Sequence, residues 1–206
     1  MRDYKHLDRY LTTLASDIYP QPEDPGHTAL AYKVIDVWMS RMTSCKSVLD
    51  AGCGTGFCED MFKVWNVPYE GVCLGEDYIV ARDKGRNVKK MDFHFLEYPD
   101  NSFDLVFARH SLEHSPMPLL ALMEWERVSK YWLGLILPAP EWYGVKGINH
   151  YSVMTHDQVE NILARAGWKV LWNDVDYLPK DDHKTADNPE GLTPHEYWLM
   201  LEKTGI

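Results

Sequence analysis

Residues 48–57 read Val-Leu-Asp-Ala-Gly-Cys-Gly-Thr-Gly-Phe. Ser47, Val48 and Leu49 read as the end of a buried strand, and Asp50 stands where that strand stops. Gly52, Gly54 and Gly56 follow at every second position, and Glu59, Asp60, Met61 and Phe62 resume a helical pattern. A strand that turns sharply into a helix needs residues without Cβ, because the backbone takes φ > 0 and a ligand approaches it closely. The helix behind the turn offers unpaired N–H groups and the positive end of its dipole. Such a turn is suited to a nucleotide-type ligand.

Spacing narrows the choice. A dinucleotide fingerprint, G-x-G-x-x-G, would put its third glycine where Phe57 stands. Here the glycines run G-x-G-x-G behind an acidic residue. The stretch resembles motif I of the class I S-adenosylmethionine-dependent methyltransferases. That resemblance implies S-adenosylmethionine as cofactor, held by Asp50, Gly52, Cys53, Gly54, Gly56 and Phe57. A plain glycine-rich turn is the competing reading, and the ordered run of strand, turn and helix argues against it.

With 206 residues, the chain suits one compact unit with a substantial core. Hydrophobic residues make up 45% and charged residues 25%, as in ordinary globular proteins. The formal charge of -10, with no Lys/Arg cluster, speaks against a nucleic-acid partner. No apolar run approaches the ~18 residues needed to span a bilayer, and the N-terminus Met-Arg-Asp-Tyr-Lys-His lacks a signal-peptide core. The four cysteines, Cys45, Cys53, Cys58 and Cys73, show no C-x-x-C spacing, which suits reduced thiols and a cytoplasmic location.

Ahead of the glycine turn, Leu7, Tyr10, Leu11, Leu14 and Ile18 share one helical face. Ala31, Val34, Ile35, Trp38 and Met42 make a second. Two such helices resemble the N-terminal cap of many small-molecule methyltransferases, although simple packing on a sheet explains the same pattern. The expected division is therefore a helical cap over residues 1–44 and a cofactor domain over residues 45–206.

Past the glycine helix, Tyr69 to Leu74 reads as a second strand. In the family an acid ending this strand binds both ribose hydroxyls, since one carboxylate accepts two hydrogen bonds. Cys73 stands at that place, with Leu74 after it, so Glu76 or Asp77 is expected to reach the ribose instead. Both acids also suit a helix N-terminus on dipole grounds alone. Val88 to Met91 is a short third strand followed by Asp92 and Phe93, which resemble the family's adenine clamp. Phe103-Asp104-Leu105-Val106 begins a fourth strand that runs out through Arg109, His110 and Leu112-Glu113-His114. The resemblance places Arg109 and His110 near the methionine part of the cofactor, and this Leu-Glu-His ending is similar to that of ubiquinone-biosynthesis methyltransferases.

Pro116 and Pro118 open a helix, and Tyr131 to Leu137 is an apolar run typical of a strand covered on both faces. Residues 138–154 lack periodicity, and a loop at such a place is usually functional or mobile. The resemblance makes it a substrate wall, with Trp142 and Tyr143 as its aromatic candidates. Thr155 and Gln158 form a capping box for the next helix, which closes at Gly167. Strands over Lys169 to Asp174 and Tyr197 to Leu201 complete the pattern.

These readings predict an α/β fold: a doubly wound, mostly parallel, seven-stranded sheet with ligands at the strands' carboxyl ends. The expected activity is methyl transfer to a small molecule, with His114, His110 and His150 as candidate bases. A non-catalytic cofactor-binding module, or a protein or nucleic-acid acceptor, is the alternative. His110 and His114 are four residues apart without a clear third ligand, so no metal is expected.

Overall fold

The computed structural model describes residues 9, 12, 23, 25–143 and 149–204. The expected helix over Leu7 to Ile18 thus lies outside the described residues. Helix α1 (Pro25–Arg41) leads into β1 (Val48–Ala51), α2 (Cys58–Val64), β2 (Tyr69–Cys73), α3 (Gly75–Asp83) and β3 (Val88–Lys90). Next come β4 (Phe103–Arg109), α4 (Pro118–Val128), β5 (Ser129–Pro138), α5 (Pro140–Tyr143), α6 (His156–Arg165), β6 (Trp168–Pro179) and β7 (Leu192–Lys203). No helix among them is long and apolar enough to cross a membrane.

The strands form one seven-stranded sheet in the order β3-β2-β1-β4-β5-β7-β6. The first five are parallel, and β7 runs antiparallel between β5 and β6. From β1 the chain winds outward through β2 and β3, then returns to β4 on the other side of β1. That reversal is a topological switch point, and it leaves a crevice beyond the carboxyl ends of β1 and β4.

Alternation along the strands feeds two cores, because successive side chains face opposite sides. Leu49, Val106, Ala108, Leu133 and Leu135 pack with Leu122 and Trp125 of α4 and Leu163 of α6. Val48, Leu105, Phe107 and Ile136 pack on the other face with Phe62 of α2 and with Val34, Ile35 and Trp38 of α1. The Trp38 ring occupies the space above Gly134, where a Cβ would come within 2.7 Å of it. Helix α1 therefore seats its apolar stripe on the sheet, and none of its residues lines the cavity described below.

Several boundaries differ from those expected. The spacing predicts a helix over Asp77 to Arg86, whereas α3 begins at Gly75 and ends at Asp83, and β6 and β7 extend to twelve residues each. They lengthen because they pair with each other from Trp168–Lys203 to Pro179–Leu192, which a short apolar window does not reveal. Among the described residues of the 138–154 stretch, Pro140–Tyr143 form a helical turn, α5. The capping box forms: Gln158 N donates to Thr155 Oγ1, and Thr155 N donates to Gln158 Oε1.

Candidate functional site

A cavity opens at the switch point, with Asp50, Gly52 and Gly54 from β1 and its turn on one side and Arg109, His110 and Ser111 on the other. Gly52 has φ +79°, and a Cβ there would lie 2.5 Å from Ser111 Cβ. The turn can press against the end of β4 only because that atom is missing. Gly54, at φ +54°, is different: a Cβ there would find only Asp77 Oδ2 within 4 Å, at 3.9 Å. It would project into the cavity, so this backbone is exposed to a ligand. Gly56 is placed elsewhere, facing Arg86 and Val88 and off the lining. The missing Cβ there lets the turn pack against Arg86 and Val88, so Gly56, expected among the ligand contacts, lies off the cavity lining.

Asp50 lies at the cavity floor, 2% exposed, and accepts a 2.9 Å bond from Tyr69 Oη. Burial pushes its carboxyl up to about 7, against the pull of that bond and of Arg109. Cys53, Cys58, Cys73, Phe57 and Leu74 also line the cavity, and all four cysteines are free and buried. Burial pushes the Cys53 thiol up, and its neighbour Cys73 adds to the effect.

The helical phase of α3 separates the two candidate acids. Asp77 is 6% exposed and lines the cavity, whereas Glu76 is exposed and does not. The residue twenty positions after Gly56 is thus on the wrong side of the helix, and its neighbour faces the site. Asp92 and Phe93 also line the cavity. Asp92 Oδ1 accepts from His94 N at 2.9 Å and sits 2.7 Å from His94 Nδ1. Burial raises the Asp92 carboxyl, but these His94 contacts outweigh it and hold it low. The Phe93 ring is steadied edge-on by Trp125, at 5.6 Å between centroids.

Arg109 and His110 meet a residue that local sequence does not announce. Glu196 of β7 has no exposed surface, and its Oε1 lies 3.0 Å from Arg109 Nη2 and 2.7 Å from His110 Nε2. Trp198 Nε1 donates to Oε2 at 2.9 Å. Burial alone would raise this carboxyl, but the bonds from His110, Arg109 and Trp198 bring it to about 2. His110 has φ +49°, in the left-handed region that few residues other than glycine adopt.

His114 lines the cavity, and its Nδ1 is 3.0 Å from the Asn149 carbonyl oxygen. A carbonyl only accepts, so Nδ1 carries the proton and Nε2 keeps its lone pair. Burial, with His150 nearby, pushes the His114 imidazole down to about 4, so it stays neutral at pH 7. His150 lies off the lining; its ring centroid is 4.8 Å from that of His114. Glu113, between His110 and His114, is 1% exposed, and burial pushes it up to about 8.

The expected aromatic wall is elsewhere. Trp142 packs against His195 at 5.3 Å and is off the lining, and the side chain of Tyr143 lies outside the described residues. Pro116, Asn149 and Tyr151 form that side of the cavity instead. The one-turn helix α5 next to β7 carries Trp142 toward the sheet end, which explains the difference. Tyr151 is held at the site because its backbone N–H and that of Ser152 both donate to the Glu113 carbonyl, at 2.8 and 2.9 Å.

The donor set suits S-adenosylmethionine. Bare backbone at Gly54, buried Asp77, half-buried Asp92, the Phe93 ring and the Arg109–His110 end all line one cavity. Hydroxyls, a purine amine and an apolar ring face would all find partners there. Comparison with known proteins agrees. Residues 49–131 match a family model described as a methyltransferase domain. An S-adenosylmethionine-dependent methyltransferase from Archaeoglobus fulgidus is 21% identical and superposes with a TM-score of 0.70, over 85% of this chain and 94% of that one. A structure from Haloferax volcanii, a complex of the Trm112 methyltransferase activator with a methyltransferase, matches at 16% identity and TM-score 0.67, over 97% of each chain. The [4+2]-cyclase SpnF matches at 19% identity and TM-score 0.64, over 97% of this chain and 94% of that one. Taken together, the glycine turn, the strand order and the matched domain give the chain a methyltransferase domain over residues 49–131 and the fold of the class I S-adenosylmethionine-dependent methyltransferases.

Proposed function

We propose that this methyltransferase acts on a small-molecule acceptor bound between His110, His114 and the Asn149–Tyr151 segment. The observation that carries the reading is the continuity of the cofactor cavity with the wall formed by Pro116, Asn149 and Tyr151. An acceptor of limited size suits such a recess, and a formal charge of -10 disfavours a polyanion.

When bound, S-adenosylmethionine supplies an activated methyl group on a sulfonium. The chain's own residues then hold and shield. In this reading Asp77 accepts from ribose hydroxyls, and Asp92 accepts from the purine amine. Arg109 is kept at the site by Glu196. Orientation is the main contribution, and a well-aligned pair of reactants is worth on the order of 7–11 kcal/mol. His114 is neutral at pH 7 with Nε2 unprotonated, so it can take a proton from an acceptor that must lose one. Such an imidazole is a weaker base than usual, which suits an acceptor whose proton leaves late.

The test is incubation of the enzyme with methyl-labelled cofactor and a pooled metabolite extract, followed by mass spectrometry. The reading predicts a methyl gain on a low-molecular-mass compound. Label transferred only to protein or nucleic acid would overturn it. Tight cofactor binding without any transfer would favour a binding module or, as the likeness to a cyclase makes concrete, another reaction on the same fold.

A further inference from the structure

We propose that Glu113, His114 and His150 bind one divalent transition-metal ion of the zinc class at the edge of the cofactor cavity. One ligand atom from each residue can be chosen so that all three lie within 4.8 Å of one another. Two imidazoles and a carboxylate are the donor set that zinc-class ions prefer, whereas magnesium and calcium take oxygen ligands.

Glu113 supplies the strongest observation. Its side chain is 1% exposed, and neither carboxyl oxygen has a hydrogen-bond partner on another residue. The nearest basic nitrogens are His110 Nδ1 at 3.7 Å and His114 Nε2 at 4.0 Å, both beyond hydrogen-bonding range. A buried carboxyl without partners is costly, and a cation among these groups removes the cost.

His114 is already held as a ligand. Its Nδ1–H donates to the Asn149 carbonyl, leaving the Nε2 lone pair on the side of Glu113. Metal-binding imidazoles are commonly oriented in this way, with the second ring nitrogen donating to a carbonyl. The segment that carries His150 is fixed to the same frame. Tyr151 N and Ser152 N donate to the Glu113 carbonyl, and Ser152 Oγ bonds the Ser115 carbonyl. Zinc bonds of about 2.0–2.2 Å require the three side chains to close in by about 1 Å, within reach of χ rotation.

Three protein ligands leave one position open. Since His114 is on the cavity wall, that position faces the cavity and would take an oxygen or nitrogen of the acceptor. This last clause rests on the proposed function; the metal site itself does not.

The test is calorimetric titration of the chelator-stripped full chain with zinc chloride, with Co²⁺ as a spectroscopic probe and S-adenosylmethionine titrated into the same samples. The expected result is a single zinc site and the visible Co²⁺ bands of low coordination number. His150→Ala and Glu113→Gln should each weaken zinc binding at least about tenfold. His150 is only partly buried, so His150→Ala tests the site even if Glu113→Gln does not fold. Absence of zinc binding, or equal binding by wild type and His150→Ala, would overturn the proposal. Zinc binding without cofactor binding would sink the proposed function and leave the metal site standing; the reverse would do the opposite.

Discussion

His110 Nε2 and Glu196 Oε1 are 2.7 Å apart, although 86 residues separate them in the chain. The contact joins the end of β4 to the antiparallel strand β7, and Arg109 shares the same carboxylate oxygen at 3.0 Å. One fully buried acid thereby fixes two residues on the cavity wall.

Glu196→Gln keeps the shape of that side chain and removes its charge. Arg109 would be left buried beside a neutral amide, and hydrogen bonds to charged groups are worth about 1.5–3 kcal/mol. Urea denaturation should show a loss of stability of that order. Cofactor affinity should fall as well, because Arg109 and His110 lose their anchor.

Asp77 and Glu76 offer a paired test of ribose recognition. Asp77→Asn should weaken S-adenosylmethionine binding by roughly 1.5–3 kcal/mol, the worth of a charge-assisted bond. Glu76→Gln should leave the affinity unchanged, since Glu76 is exposed and off the cavity. Calorimetry on both variants reads the difference directly.

Gly134 and Trp38 should behave as a coupled pair. Gly134→Ala drives a methyl to within 2.7 Å of the indole and should cost about 1–3 kcal/mol by overpacking. In a Trp38→Ala background the same change should cost far less, because the ring is gone. A double-mutant cycle in denaturant measures the coupling.

Glu23 gives a pH-dependent contribution. Burial raises its carboxyl, but bonds from Arg86, Lys84 and Thr55 outweigh that and lower it to about 2, from an ordinary 4.5. A folded-state value below the unfolded one means stability present above about pH 4.5 and lost as pH falls toward 2. The side chain is partly exposed, so the contribution is about 1 kcal/mol at most after screening. Thermal unfolding of wild type and Glu23→Gln should differ at pH 7 and converge as pH drops through that window.

The sequence made the strand-turn-helix legible because its signals are local: glycines at fixed offsets, an acid at a strand end, a capping box. The cavity positions of Asp92, Phe93, Arg109 and His110 follow from equally local signals, each standing at a strand's end or just past it. Glu196 was not, because its place depends on the register of an antiparallel strand that pairs it with Pro138. Choosing Asp77 over Glu76 required the phase of a helix whose first residue lay two positions earlier than expected. The joining of Glu113, His114 and His150 depended on backbone bonds from Tyr151 and Ser152, and no periodicity encodes those.

The most direct measurement is calorimetric titration of the wild-type chain and of Gly54→Val with S-adenosylmethionine and with NAD. The wild type should bind S-adenosylmethionine and not NAD. Gly54→Val should lose that binding while keeping a cooperative unfolding transition, because its side chain enters the cavity beside Asp77. Tight binding of NAD with none of S-adenosylmethionine, or undiminished cofactor affinity in Gly54→Val, would contradict the account.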